Sequence, residues 1–399
     1  MGEDYEKYYF KTVTGILAGH SEYEEKIKDI ISDNVSRFIS SANDDFRRLK
    51  HRNKLPKEWR WKYSSFTGTA TGILIEFYLA KYSGENYQND KVDCFEANLN
   101  DRNTKKTKWF YLIYTKEWLT KAYDKINSTN LEDIEKLADL AMDFAALESY
   151  YRCDKEQCFD VVKCRNETNE NYELYKIIKE DVIELYKAFK KTVIKEQILT
   201  CNDIIIINPI FTNKFLKGDG DFVINGVLYD LKCLNNTNYE IGNSLQLMFY
   251  YILNELNKFP DISLRYHHPR VGLDIKELKI LNPRYEAVMK FDIKLKMDLI
   301  ELGKKILELV VSNSKLYYDI FESTILEFSN NDNFSKLDNN DKIKEIYNFF
   351  KINKKYRFIP YNDDCYDFIE KIIKQIDKKQ TKNWFINLKS HYSYGFVLK

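Results

Sequence analysis

Glycine and proline are scarce: 13 and 6 residues among 399. That leaves little material for long turn-rich connections and points to a chain built largely of helix. No apolar run approaches the 18 or more residues that would span a bilayer, and Leu245–Leu253 is among the longest, so no membrane partner is expected. An excess of either charge is also missing. Sixty-two Lys and Arg balance 61 Asp and Glu for a net charge of +1, so any contact with nucleic acid must come from a local patch. No G-x-x-x-x-G-K-[ST] phosphate loop is present, so unwinding of a duplex would need a partner. The opening residues Met1–Tyr5 carry no apolar signal core, and the seven cysteines are therefore expected as reduced thiols of a cytoplasmic protein. No repeat of 20–50 residues stands out.

What the chain does have is a folded protein's composition, 44% hydrophobic and 15% aromatic. Helical spacing predicts a helix over residues 22–40 and another opening at Phe66, with Thr67 or Thr69 as its cap. Two helices are expected over 108–151, the second carrying Leu131, Ile134, Leu137, Leu140, Ala141, Phe144 and Leu147 as an apolar stripe. A further helix is expected over 172–199. Residues 203–207 form a β-branched run stopped by Pro209, which predicts a strand. A helix over 244–256 and a strand within 271–281 follow, and from Glu286 onward the chain is predicted to be helical, with its best linker candidate at 330–341.

The densest chemistry lies in Gly218–Lys232. Asn225-Gly226 between two β-prone runs is the strongest short signal for a two-residue type I′ hairpin. Register then pairs Ile224 with Val227, Phe222 with Tyr229, Asp221 with Asp230 and Asp219 with Lys232. Because side chains alternate, the three aspartates and the lysine share one face. Like charges opposite each other destabilise a sheet. A hard divalent cation with oxygen ligands would relieve Asp221 against Asp230, and Lys232 beside it would hold or activate a water. Alternatively, Gly218–Asp221 are turn residues and Asp219 and Lys232 an exposed cross-strand pair.

Asp221, the eight-residue interval to Asp230-Leu231-Lys232, and Gln246-x-x-x-Tyr250 fourteen residues past the lysine resemble the signature of the PD-(D/E)XK nucleases, in their RecB-like branch. Gln246 and Tyr250, at i and i+4, lie on one helical face. The resemblance implies an α/β fold of α+β type, a restriction-endonuclease-like mixed sheet flanked by helices, with large helical N- and C-terminal extensions. It divides the chain into residues 1–200, which lend a core helix near 66–80, the nuclease core 201–285, and a helical region 286–399. It further implies hydrolysis of phosphodiester bonds, DNA favoured over RNA, with Mg²⁺ or Mn²⁺ held by Asp221, Asp230 and the Leu231 carbonyl. Lys232 would activate water, and Gln246 and Tyr250 would position it. Asp219 is the alternate ligand. Gly68 and Glu76 match two positions of the family's core-helix motif, and Glu76 is a candidate extra ligand. Gly72 stands where that motif has a histidine.

Outside the motif, residues 46–63 interleave aromatic rings with basic groups, including Arg47, Arg48, Lys50, Arg52, Arg60 and Lys62. They are candidates for contacting phosphates and bases, against the plainer alternative of a solvated charged surface. Cys153, Cys158 and Cys164 are spaced too loosely for a typical zinc site, and ordinary thiols are expected. The adjacent His267-His268 pair is expected on the surface. A nucleic-acid-binding protein that keeps the fold without cleaving is the rival function, and a helical scaffold the third. A protein partner or a homo-oligomer is compatible with each.

Overall fold

A computed structural model describes residues 22–34, 39–42, 49–88, 114–153, 157–166, 170–200, 202–212, 218–233, 241–258 and 271–291, with scattered positions between 301 and 346. The chain divides into two compact units, one of Ser36–Asn213 with Gly218–Lys294, the other of Met1–Val35, Lys214–Lys217 and Leu295–Lys399. Of the second, helix α1 (Glu22–Asn34) is the best described element, burying Ile27 and Ile31. The first unit joins most of the expected N-terminal region to the expected nuclease core.

The helices form where apolar residues recur at helical spacing. Helix α2 (Lys57–Ser83) begins after Pro56, nine residues before the start expected from sequence. Thr67 and Thr69 do not cap it. Their hydroxyls donate within the helix to the carbonyls of Tyr63 and Ser65, as that of Thr71 does to Thr67 O, so the Ser/Thr-rich stretch satisfies itself and the helix runs through. It stops at Gly84, whose φ of 75° closes the last carbonyls. Helix α3 (Lys116–Ser128) is capped by the Thr115 hydroxyl. The predicted stripe from Leu131 is split between a 3₁₀ segment, Leu131–Leu137, and helix α4 (Ala138–Cys153). Helix α5 (Gln157–Lys163) and the long helix α6 (Glu170–Lys195) follow.

Among the described residues the sheet has six strands: β1 (Ile39–Ala42), β2 (Ile205–Ile207), β3 (Phe222–Ile224), β4 (Val227–Leu231), β5 (Glu277–Asn282) and β6 (Ala287–Phe291), in the order β1-β6-β5-β4-β3-β2. The β4–β5 pair is parallel and the rest antiparallel. Helix α7 (Ile241–Leu256) bridges the parallel pair, as a crossover must. Three elements depart from the sequence-based expectation. Residues 271–276 are irregular, and the strand occupies 277–282. Ala287–Phe291 is a strand, because Asn282 caps a 3₁₀ turn and Glu286, at φ 48°, reverses the chain onto β5. Residues 39 and 40, expected at the end of the first helix, also belong to the sheet, in β1.

Alternation on β4 decides which layer covers which side chain. Tyr229 stacks on Phe222 at 5.3 Å, and Phe222 meets Phe189 of α6 at 6.3 Å, so this face carries the core shared with α2, α4 and α6. Asp230 and Lys232 take the other face, under α7.

Candidate active site at the end of the hairpin

The hairpin turns at Asn225 (φ 52°) and Gly226 (φ 79°), the two positive φ values a type I′ turn requires. The ladder runs in the expected register, Ile224 with Val227 and Phe222 with Tyr229. It ends there. Continued by arithmetic, Leu231 would bond the carbonyl of Gly220. Instead the chain before β3 stays with β2: Gly220 donates to Pro209 O at 3.0 Å, and Asp219 bridges Ile210. The Leu231 amide, left without its backbone acceptor, is taken by Asp221 Oδ2 at 2.5 Å. Asp221 therefore caps the open end of β4, one residue from Asp230. Asp219 is exposed, and the expected Asp219–Lys232 pair is absent among the described contacts because β3 has left β4 before reaching it.

Lys232 turns back on its own strand. Its Nζ lies 3.0 Å from Asp230 Oδ1 and 2.9 Å from Oδ2, and it donates to Gln246 Oε1 at 3.2 Å. Gln246 Nε2 donates in turn to Tyr250 Oη at 2.8 Å. Tyr250 stacks on Phe211 at 5.2 Å, which fixes the ring. The chain Asp230–Lys232–Gln246–Tyr250 thus spans strand and helix, in the order anticipated from the i, i+4 spacing on α7. Asp230 is only 3% exposed, and its Oδ2, despite the nearby ammonium, accepts no well-aligned hydrogen bond.

The charges respond to this burial. Desolvation pushes the Asp230 carboxyl up to about 6, with Lys232 opposing and Asp221 adding to the rise. Burial alone would favour a neutral Lys232, but the Asp230 and Asp221 carboxylates outweigh it and hold the ammonium above its usual range. Burial raises the Tyr250 phenol to about 12, so it stays a hydrogen-bonding hydroxyl. Cys233 is likewise raised to about 12 by burial, an unreactive thiol.

For a cation, the oxygens near each other here are those of the Asp221 carboxylate, bonded to the Leu231 amide, and of buried Asp230. Among the described residues no group of three or more His, Cys, Asp and Glu side chains is arranged to hold a metal ion. Two carboxylates, one with a buried oxygen lacking an aligned donor, suit a hard ion that keeps several waters. Glu76 reaches this end of the sheet indirectly: its Oε2 accepts from Tyr87 Oη at 2.9 Å and Asn208 Nδ2 at 3.1 Å, and the Asn208 amide donates to Asp221 O at 2.9 Å. On the same helical face, Gly68 and Gly72 lie under Cys233 and Leu231, where a Cβ would come within 3.9 and 3.7 Å.

Sequence reasoning missed Asn208 and Arg284. Arg284, buried at 1% exposure, grips Asp181 with two hydrogen bonds of 3.1 and 2.6 Å and donates to Cys233 O at 3.0 Å, bracing the residue after Lys232. Asp181 and Arg284 are 103 positions apart, and no local pattern announces such a pair. An asparagine closing an isoleucine run was the available sign of Asn208, since Asn is enriched at positive φ.

The basic stretch is partly neutralised. Arg47 and Arg48 lie outside the described residues. Lys50 is 3.6 Å from Glu286, Arg60 donates to the Leu55 carbonyl, and the Lys62 ammonium sits 4.9 Å over the Tyr63 ring. Arg52 is exposed and has no partner among the described residues. A groove of about 510 Å³ between α6 and the 51–54 segment is lined by His51, Lys54, Glu184 and Glu286. These groups already pair with one another, and the groove shares no residue with the Asp221–Lys232 cluster. Cys164 donates to Asp160 O as an ordinary helical thiol, while the side chains of Cys153 and Cys158, and His267-His268, are outside the described residues.

The fold and site define a mixed α/β protein in which a hairpin strand delivers two aspartates and a lysine to a Gln–Tyr helix. Compared with known proteins, no family model matched the chain, and no curated protein or solved structure matched it significantly.

Proposed function

We propose that the protein is a metal-dependent nuclease of the PD-(D/E)XK type, hydrolysing phosphodiester bonds, with DNA the favoured substrate. The single observation that carries this reading is the hydrogen-bonded chain from Asp230 through Lys232 and Gln246 to Tyr250, set beside the Asp221 carboxylate. The order of elements supports it as well: a helix, an antiparallel three-strand meander, a crossover helix and a parallel strand.

Asp221, Asp230 and the Leu231 carbonyl would hold Mg²⁺ or Mn²⁺. When bound, the ion would polarise the phosphodiester, neutralise charge in the transition state and cancel the anionic field that keeps Lys232 protonated. Lys232 Nζ faces the carboxylates on one side and Gln246 on the other, so it can hold an attacking water and, once neutral, accept its proton. Gln246 accepts from Lys232 and donates to Tyr250, fixing the lysine's rotamer. Tyr250, locked on Phe211, keeps the amide oriented. Arg52 is an exposed cation of the basic stretch that could meet a phosphate backbone without first breaking an ion pair among the described residues.

Incubation with single- and double-stranded DNA and RNA, with Mn²⁺ or with EDTA, tests this reading. Cleavage that requires Mn²⁺ and disappears in Lys232→Ala is the expected result. Binding without cleavage under every condition would transfer the function to the non-cleaving alternative.

A further inference from the structure

Asn208 is not called for by any motif, yet it sits where the hairpin's geometry is decided. It closes β2 at φ 50°, a conformation that is uncommon outside glycine and that survives only when surroundings hold it. Three contacts do so here. Its amide donates to Asp221 O at 2.9 Å, its Nδ2 donates to Glu76 Oε2 at 3.1 Å, and Glu76 is itself held by Tyr87 Oη at 2.9 Å. On either side the β2–β3 pairing keeps its arithmetic, with Ile207 opposite Phe222 and Ile210 opposite Asp219. The chain therefore bends at Asn208 without slipping register. Bending carries Gly220 with β2, away from β4, and this leaves the Leu231 amide for the Asp221 side chain at 2.5 Å.

Gly220 shows that the bend is tightly packed. A Cβ there would lie 2.6 Å from Phe211 Cε2 and 3.0 Å from Pro209 Cγ. Position 220 has no side chain to crowd the Phe211 ring and Pro209 past the bend.

Resting on the nuclease reading, we propose that Asn208 is the positioning residue for Asp221. By bending β2 at a positive φ, and by anchoring that bend to Glu76 of α2, it converts an aspartate that regular pairing would place beside Asp230 on the sheet face into one that caps Leu231. It does so from the backbone, through another residue, and makes no contact with a reacting atom. Its amide side chain is what couples the position of helix α2 to that of the carboxylate.

Two variants separate the parts of this claim. Asn208→Ala removes the Glu76 bond and disfavours the positive φ, whereas Asn208→Gly removes the same bond but accepts that φ freely. The measurements are amide hydrogen exchange resolved at Leu231 and, separately, Mn²⁺ affinity by titration of the metal alone. In Asn208→Ala, Leu231 should exchange at least about tenfold faster than in wild type, a change of about 1.4 kcal/mol. Amides of β5 should hold their rates, and Mn²⁺ should bind about tenfold more weakly. Asn208→Gly should recover only the part of the Leu231 protection that the positive φ supplies, and full recovery would remove the Glu76 bond from the proposal. Unchanged Leu231 protection in Asn208→Ala, or equal acceleration of Leu231 and the β5 amides, would overturn the proposal. If the wild-type protein bound no Mn²⁺ and cleaved nothing, the nuclease reading would fall, while Leu231 exchange would still decide whether Asn208 positions Asp221.

Discussion

Replacing Lys232 by methionine should make the stability of the protein depend on pH in a way the native protein does not. In the native state the ammonium lies 2.9–3.0 Å from both oxygens of an aspartate that is 3% exposed. Below about pH 6 Asp230 already carries its proton, because burial has raised it to about 6. Losing the lysine then removes little from it. Above that pH the native carboxylate ionises opposite Lys232. The variant must either bury a bare carboxylate, at about 3–5 kcal/mol for a broken buried pair, or keep a proton the unfolded chain has shed. Holding the proton costs about 1.4 kcal/mol per pH unit, so between pH 6 and 8 the gap should widen by up to about 2.7 kcal/mol. The sign follows from proton counts: the folded variant binds a proton the unfolded one does not, so its stability falls as pH rises. Urea unfolding of wild type, Lys232→Met and Asp230→Asn/Lys232→Met at pH 5 to 8 measures this. The double variant should lose the added pH dependence. A wild-type-to-Lys232→Met gap equal at pH 5 and pH 8 would refute the reasoning.

Other expectations follow from neighbouring contacts. Gly220→Ala forces a methyl to within 2.6 Å of the buried Phe211 ring, an overpacking that should cost about 1–3 kcal/mol in chemical denaturation. Tyr250→Phe removes the oxygen that Gln246 donates to. One lost hydrogen bond is worth about 1 kcal/mol, so kcat for cleavage should fall about five- to tenfold with KM little changed in steady-state assays. Mn²⁺ must displace the Asp230 proton, so its affinity, measured by calorimetry, should rise with pH through about 6 and level off above. Arg52→Glu should weaken DNA binding and flatten its salt dependence, read as the slope of log K against log salt.

Some of this site was legible in the residue order. Asn225-Gly226 dictates its own turn, because few other dipeptides accept two positive φ values, and the turn then sets the register of Phe222 with Tyr229. Gln246 and Tyr250 were legible for the same reason: helical spacing alone puts them side by side. The position of Asp221 was not, since the pairing arithmetic assumes that β3 stays with β4 past Phe222. The bend at Asn208 that ends the pairing depends on Glu76, 132 residues earlier. Strand β6 was hidden likewise. Ala287–Phe291 adjoins a helix-like stretch, and only the reversal at Glu286, braced by Lys191 at 2.8 Å and His51 at 2.8 Å, makes it pair with β5. The start of α2 was misjudged because Thr67 and Thr69 look like caps but bond backward within the helix instead.

The central claim is that Asp221 and Asp230 together accept a divalent ion at the end of the hairpin. A crystal grown in Mn²⁺ and measured at the manganese absorption edge tests it most directly. One anomalous peak bound by both carboxylates and the Leu231 carbonyl, with the Lys232 ammonium drawn off Asp230, is the predicted result. No peak at that position in crystals saturated with Mn²⁺, with Lys232 still closed on Asp230, would contradict it.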